Sequence, residues 1–158
     1  MKPKNDPTNL AIHRLGPGDD TLFHGMLGLF AAAFDDTENY STARPGLTYR
    51  KALLSRDDVV MLVALDGQNV AGALVAYELR KFEQERSELY IYDLAVTEAW
   101  RRRGVATAMI DNLKTIAKTN GHWVVYVQAD YGDEPAIALY TKLGTCENVM
   151  HFNIALDE

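Results

Sequence analysis

Leu89–Val96, LYIYDLAV, runs within a few residues into Arg101–Thr107, RRRGVAT, and the join between them decides the fold. The first stretch is rich in β-branched and aromatic residues and predicts a strand. After the second, Ala108, Met109, Leu113, Ile116 and Ala117 recur at helical spacing and predict a helix over about Val105–Thr119. The free amides that open such a helix form a positive, donor-rich concavity suited to phosphate or pyrophosphate. Gly104 and Ala106 leave the backbone accessible, and the arginines offer charge-assisted contacts. The alternative is a solvated charge run paired with some of the 22 acidic residues. Arginine at a helix N-terminus opposes the helix dipole, so that alternative explains the placement poorly. The Gly-Lys-Ser/Thr ending of a Walker A loop is missing, as are the three glycines of a dinucleotide fingerprint.

Working outward, AIHRL (11–15) predicts a short strand. GPGDD then supplies a turn, with Asp19 or Asp20 as the cap of a helix carrying Leu22, Phe23, Met26, Leu27, Leu29, Phe30 and Phe34. DDTENYSTARPG (35–46) is a polar, acidic loop, and LTYRKALLS (47–55) a short helix. VVMLVAL (59–65) and VAGALVAYELR (70–80) are strands joined through DGQN, a hairpin turn. Beyond the central helix, GHWVVYVQA (121–129) is a strand. DEPAIALYTKLG is a helix with early acids and proline that ends at Gly144, and CENVMHFNIAL supplies one or two last strands.

A chain of 158 residues suggests one domain, here 10–158, after a loose polar arm over 1–9. The single cysteine, Cys146, excludes an internal disulfide and points to a reducing cytoplasm. It reads as a small buried residue rather than a nucleophile. The opening MKPKNDPTNL lacks the apolar core of a signal peptide, and no apolar run reaches the roughly 20 residues of a membrane span. A formal net charge of -6 argues against nucleic acid as the main partner and is compatible with a cationic one. His13, His24, His122 and His151 have no metal-ligand spacing, so no metal is expected.

Arg101-Arg102-Arg103-Gly104-Val105-Ala106, following a strand that ends YDLAV, resembles the acetyl-coenzyme A motif of the GCN5-related N-acetyltransferases. PAIALYTKLG resembles that family's last helix, and the order of elements matches nearly throughout. KFEQERSELYIYDLAV, VYVQADYGDEPAIALYTKLG and VMHFNI further resemble the aminoglycoside 3-N-acetyltransferases of the superfamily, with a looser match in the N-terminal third. The resemblance implies a mixed α/β (α+β) fold: a central, mostly antiparallel sheet of six to seven strands flanked by four helices. It also implies direct acetyl transfer from acetyl-coenzyme A to the 3-amino group of an aminoglycoside, and a homodimer. Acetylation of another amine, or coenzyme binding without catalysis, are the alternatives.

On this resemblance the amides of Arg103–Thr107 (Arg103, Gly104, Val105, Ala106, Thr107) and the side chains of Arg101 and Arg102 hold the pyrophosphate. One arginine can instead face solvent or a 3′-phosphate. Leu94, Ala95 and Val96 hold the pantetheine arm. An alkylammonium, with a pKa near about 10.4, must lose a proton before it can attack. Asp93 is the candidate for that task, because an aspartate inside LYIYDLAV needs a reason if buried. The family's catalytic glutamate aligns nearer Tyr90, so Asp93 either takes the proton or only binds the amine; a purely structural aspartate is the third reading. Tyr140 matches the tyrosine near the coenzyme sulfur, as an acid for the thiolate. Asp133 stands where the family often has asparagine. Asp35, Asp36, Glu38, Tyr92, Asp130, Asp133 and Glu134 join Asp93 as candidate contacts to the polycation, although solvation and helix capping also account for the acids.

Overall fold

The computed structural model describes residues 10–156. The arm expected over 1–9 lies outside the described residues. Residues 10–128 form one compact unit, and 129–156 belong to a second.

The first unit is built on one five-stranded sheet whose spatial order follows the chain: β1 (Ala11–Arg14), β2 (Val59–Asp66), β3 (Asn69–Arg80), β4 (Ser87–Val96) and β5 (Val124–Val127). The first three pairings are antiparallel and β4–β5 is parallel. The hairpin predicted at DGQN forms between Asp66 and Asn69, with Gly67 at φ 62° supplying the left-handed turn. The parallel step requires a crossover, which α3 (Val105–Thr119) provides.

Alternation divides the sheet into two faces. Val59, Met61, Val63, Ala73, Val75 and Ala95 share one core with Phe23, Met26, Leu29 and Phe30 of α1 (Asp20–Phe34) and Leu54 of α2 (Leu47–Leu54). α3 lies on the opposite face, where a Cβ built on Gly72 would meet Met109 Cε at 2.9 Å and Val105 Cγ1 at 3.1 Å. The missing side chain at Gly72 therefore sets how closely α3 approaches β3. The buried stripe of α3 is Val105, Met109, Ile110, Leu113 and Ala117; Ala108, expected inside, is exposed. Asp19 precedes α1 but its carboxylate does not cap it. It turns back to accept from the Gly16 amide at 2.7 Å and from His13 at 2.9 Å.

In the second unit α4 (Glu134–Leu143) is capped as its sequence suggests, the Asp133 carboxylate accepting from the Ala136 amide at 3.2 Å. Gly144 is extended, at φ -152°, so it does not end the helix by the left-handed route expected of it. Two further expectations change. The sheet has five strands among the described residues, not six or seven, because CENVMHFNIAL forms none. Period-two apolar residues mark a segment fit for pairing, but a strand exists only when a neighbour completes its hydrogen-bond ladder. The four α-helices are accompanied by a π-helix at Glu38–Thr42 and a 3-10 turn at Glu98–Trp100, so helical segments exceed the four predicted. Cys146 is exposed rather than buried.

Candidate functional site

β4 carries an irregularity that shapes the site. Asp93 lies opposite Val75 and Ile91 opposite Ala76, leaving Tyr92 as an extra residue in a β-bulge. The parallel register with β5 ends at Ile91↔Val127. From Asp93 to Val96 the strand is therefore strand-paired on its β3 side only, and among the described residues no strand pairs with its other edge. Of the three residues expected to hold an extended ligand arm, Ala95 is buried while Leu94 and Val96 are half-buried.

Past this edge the chain is tied back to β3. The Thr97 amide donates to the Ala71 carbonyl at 2.9 Å, and Trp100 is buried below the turn. Arg102 and Gly104 both take left-handed φ values, 59° and 79°. Gly104 is the residue before α3, and no side chain caps that helix end. The first amides of α3 are thus open, and nothing lies within 4 Å of where a Gly104 Cβ would stand. Val105 is buried, and Ala106 and Thr107 are half-buried. The three arginines are exposed but differently engaged. Arg101 Nε donates to the Val96 carbonyl at 3.0 Å, and the Arg103 guanidinium lies 5.3 Å from the Trp100 ring centroid. An open helix N-terminus, a left-handed turn and clustered guanidinium groups suit a pyrophosphate.

On the α1 face of the sheet lies a cavity of about 550 Å³, with Asp93 on its wall. The Tyr40 hydroxyl donates to Asp93 Oδ2 at 2.8 Å. Burial pushes the Asp93 carboxyl up from its ordinary value, and the Tyr40 hydrogen bond partly offsets that. Tyr40 is in turn pushed far up, by burial first and then by the Asp93 carboxylate, so it stays a protonated donor. This tyrosine was missed in the sequence because it lies in a polar stretch. The π-helix carries it, and its ring packs 5.7 Å from both Phe30 and Phe34 at the end of α1. Those two phenylalanines, stacked at 5.6 Å, were the available sign that the loop beyond them held an aromatic partner.

Among the acids of that loop, Asp36 lines the cavity. Its carboxyl is held below the usual range by hydrogen bonds from the Asn39 side chain and amide. Asp35 ends α1 in a left-handed conformation, and Glu38 opens the π-helix; both are exposed and neither lines the cavity. Tyr92 does line it and is 61% exposed. Asp130, Asp133, Glu134 and Tyr140 belong to the second unit. The three acids are exposed there, with Asp133 used as the α4 cap. Tyr140 is half-buried, and burial with the nearby Asp133 carboxylate pushes its phenol up to about 12. No group of three or more His, Cys, Asp or Glu side chains able to hold a metal occurs among the described residues.

Comparison with known proteins adds to this geometry. Residues 25–145 match the sequence profile described as the acetyltransferase (GNAT) family. The structure is similar to an aminoglycoside acetyltransferase, HMB0005, from an uncultured soil metagenomic sample. The TM-score is 0.91 and the identity 49%, over 94% of this chain and 99% of that one. A second aminoglycoside acetyltransferase of soil metagenomic origin, meta-AAC0020, solved in complex with sisomicin, aligns with a TM-score of 0.86. Its identity is 30%, over 94% of this chain and 97% of that one. A ribosomal-protein-alanine N-acetyltransferase from Brucella melitensis biovar Abortus 2308 shares the fold at a TM-score of 0.72. It is 22% identical over 94% of this chain and 99% of its own. No curated protein matches the chain significantly.

Proposed function

The chain belongs to the acetyltransferase (GNAT) family, whose members draw on acetyl-coenzyme A, and from that premise we propose that it acetylates an amino group of an aminoglycoside. The acceptor reading is carried by 49% identity to an aminoglycoside acetyltransferase across 94% of this chain. The 3-amino position is the finer part of the proposal and rests on the sequence resemblance. A homodimer is a further part of it. Met150, Phe152, Ile154 and Leu156 alternate along a stretch without strand partners and are more than 70% exposed, a set that a second copy would cover. Light scattering tests that point.

The open amides of α3 and the guanidinium groups of Arg101 and Arg102 are the proposed pyrophosphate site, and the unpaired edge of Leu94–Val96 the proposed seat of the pantetheine arm. The Val96 amide would then donate to the carbonyl oxygen where negative charge grows. The donor supplies a thioester. The acceptor nitrogen attacks its carbonyl carbon, the carbon–sulfur bond breaks, and the thiolate leaves.

Asp93 has the chemistry to bind the ammonium and take its proton. One carboxylate oxygen is engaged by Tyr40, which leaves the other free for the amine. A raised carboxyl pKa makes Asp93 a better base than an ordinary aspartate. Tyr140 is the proposed partner of the leaving sulfur. A phenol near 12 is a weaker acid than a thiol near about 8.5, so complete proton transfer to the thiolate runs uphill. Tyr140 therefore acts as a hydrogen-bond donor to sulfur, and its removal lowers turnover modestly.

The test is thiol release from acetyl-coenzyme A with gentamicin, kanamycin, spermidine or a lysine-rich peptide as acceptor. Release with an aminoglycoside is expected, with the acetylated nitrogen assigned by NMR. Release with spermidine or the peptide alone would overturn the acceptor reading; acetylation at another nitrogen would overturn only the position.

A further inference from the structure

At the edge of the cavity, where Tyr77 and Tyr92 line it, the same sheet face continues as tyrosines. Tyr90 on β4 lies opposite Tyr77 on β3 and opposite Tyr126 on β5. In a regular strand Asp93 would fall on the other face from Tyr90. The bulge adds one residue and restores Asp93 to the face shared by Val75 and Tyr77. Tyr92, the inserted residue, joins them through ring contacts with Tyr77 at 5.7 Å and Tyr90 at 6.0 Å, each at 82°. Tyr90 and Tyr126 stack nearly parallel, 4.8 Å apart at 13°. The Tyr90 hydroxyl donates to Gln128 Oε1 at 2.8 Å, which fixes that ring at its far end. The result is a corner, a stacked pair with a third ring standing almost perpendicular to it, directly beside the Asp93 carboxylate.

Phenol faces carry negative quadrupolar charge, and they attract both ammonium groups and the C–H faces of saturated rings. With Asp93 and Asp36 supplying formal charge in the adjoining cavity, the surface is complementary to a cation that also has flat, saturated rings. We propose that the tyrosine corner is a second acceptor subsite, which stacks one amino-sugar ring while Asp93 holds the reacting ammonium on the neighbouring ring. It rests on the aminoglycoside reading above and adds a basis for preferring ring-bearing polycations. A linear polyamine satisfies the carboxylates equally well but has no ring to place against Tyr92 and Tyr90.

Isothermal titration of the full chain, its Tyr92→Ala variant and its Tyr92→Phe variant with neamine and with spermidine separates the possibilities. The exposure of Tyr92 makes both variants compatible with the fold. Tyr92→Ala should weaken neamine binding about fivefold or more and spermidine binding by a clearly smaller factor, since spermidine loses only an ammonium contact and no ring contact, while Tyr92→Phe keeps neamine affinity. Unchanged neamine affinity in Tyr92→Ala overturns the subsite, as does an equal loss for both ligands. A fall in molecular mass of Tyr92→Ala with neamine affinity intact assigns the face to a second copy and also overturns it. A wild-type chain that binds no neamine instead overturns the aminoglycoside reading beneath, and does so before any substitution is made.

Discussion

Asp93 is held between two influences of opposite sign. Burial favours its neutral form and the Tyr40 hydroxyl favours its anion. Replacing Tyr40 by Phe keeps the ring against Phe30 and Phe34 and removes only the donor. The Asp93 pKa should then rise further, and the acid limb of the kcat/KM profile should move to higher pH. The groups near this carboxylate are Tyr40, Tyr77, Tyr90, Tyr92 and Asp36. Tyr40, Tyr77 and Tyr90 are all pushed upward, by burial first, and so stay neutral where a carboxyl titrates. An acid limb that stays in place in Tyr40→Phe would show that Asp93 does not govern the profile. The same residue makes a stability prediction. A carboxyl with a raised folded-state pKa adds stability below its unfolded value and loses that contribution as pH rises through the folded value. Ionised Asp93 is therefore unfavourable to the fold near neutrality. Asp93→Asn should raise Tm at pH 7 and lower turnover, a divergence read by calorimetry beside a thiol-release assay; a drop in Tm would make the aspartate structural. At this scale the sequence was half legible. An aspartate in an apolar strand announces itself, whereas its partner Tyr40 is 53 residues away and no local pattern links them.

At the scale of elements the sequence was most legible where one segment contains its own signals. α3 matches its predicted range because period, flanks and glycine all lie within it. β2, β3 and β4 likewise follow from alternation and the Gly67 turn. The bulge at Tyr92 was not legible, because register is a property of two strands. Nor was the failure of 146–156 to form a strand, since pairing depends on a neighbour that the segment does not specify. Two glycines, one on β3 opposite Val96 and one directly before α3, allow the arrangement to be tested. Gly72 stands where α3 meets β3, and Gly104 stands at the helix opening. Gly72→Val forces branched methyls into Val105 and Met109, an overpacking worth about 1–3 kcal/mol. Because Val105 carries one of the open amides, KM for acetyl-coenzyme A should rise together with the loss in Tm. Gly104→Ala meets no atom within 4 Å, but it must hold φ 79°, which costs about 1–2 kcal/mol in an L-residue. It should therefore destabilise through the backbone alone. Equal Tm values for wild type and both variants would mean that the connection adopts another conformation in solution.

At the scale of the whole molecule, charge is distributed unevenly. The chain carries -6 overall, yet three arginines stand together at the opening of α3. A polycationic acceptor is attracted both by the global field and by Asp93 and Asp36 in the cavity, so salt weakens every electrostatic term that favours it. An anionic donor is repelled by the global field and attracted by the arginine turn, so for it salt weakens two terms of opposite sign. The two substrates should therefore respond differently. Raising ionic strength from about 20 mM to about 300 mM shrinks the screening length to well below the size of the molecule and should lower kcat/KM for the aminoglycoside about threefold or more. The change for acetyl-coenzyme A should be smaller. Initial rates with each substrate varied in turn, at constant pH and with two different monovalent salts, measure both slopes. Equal slopes would remove the global field as a factor in acceptor capture, leaving local contacts alone to select the substrate. A steeper slope for the donor would mean that the arginine turn outweighs the net charge even at long range, and that capture of acetyl-coenzyme A is the electrostatically steered step.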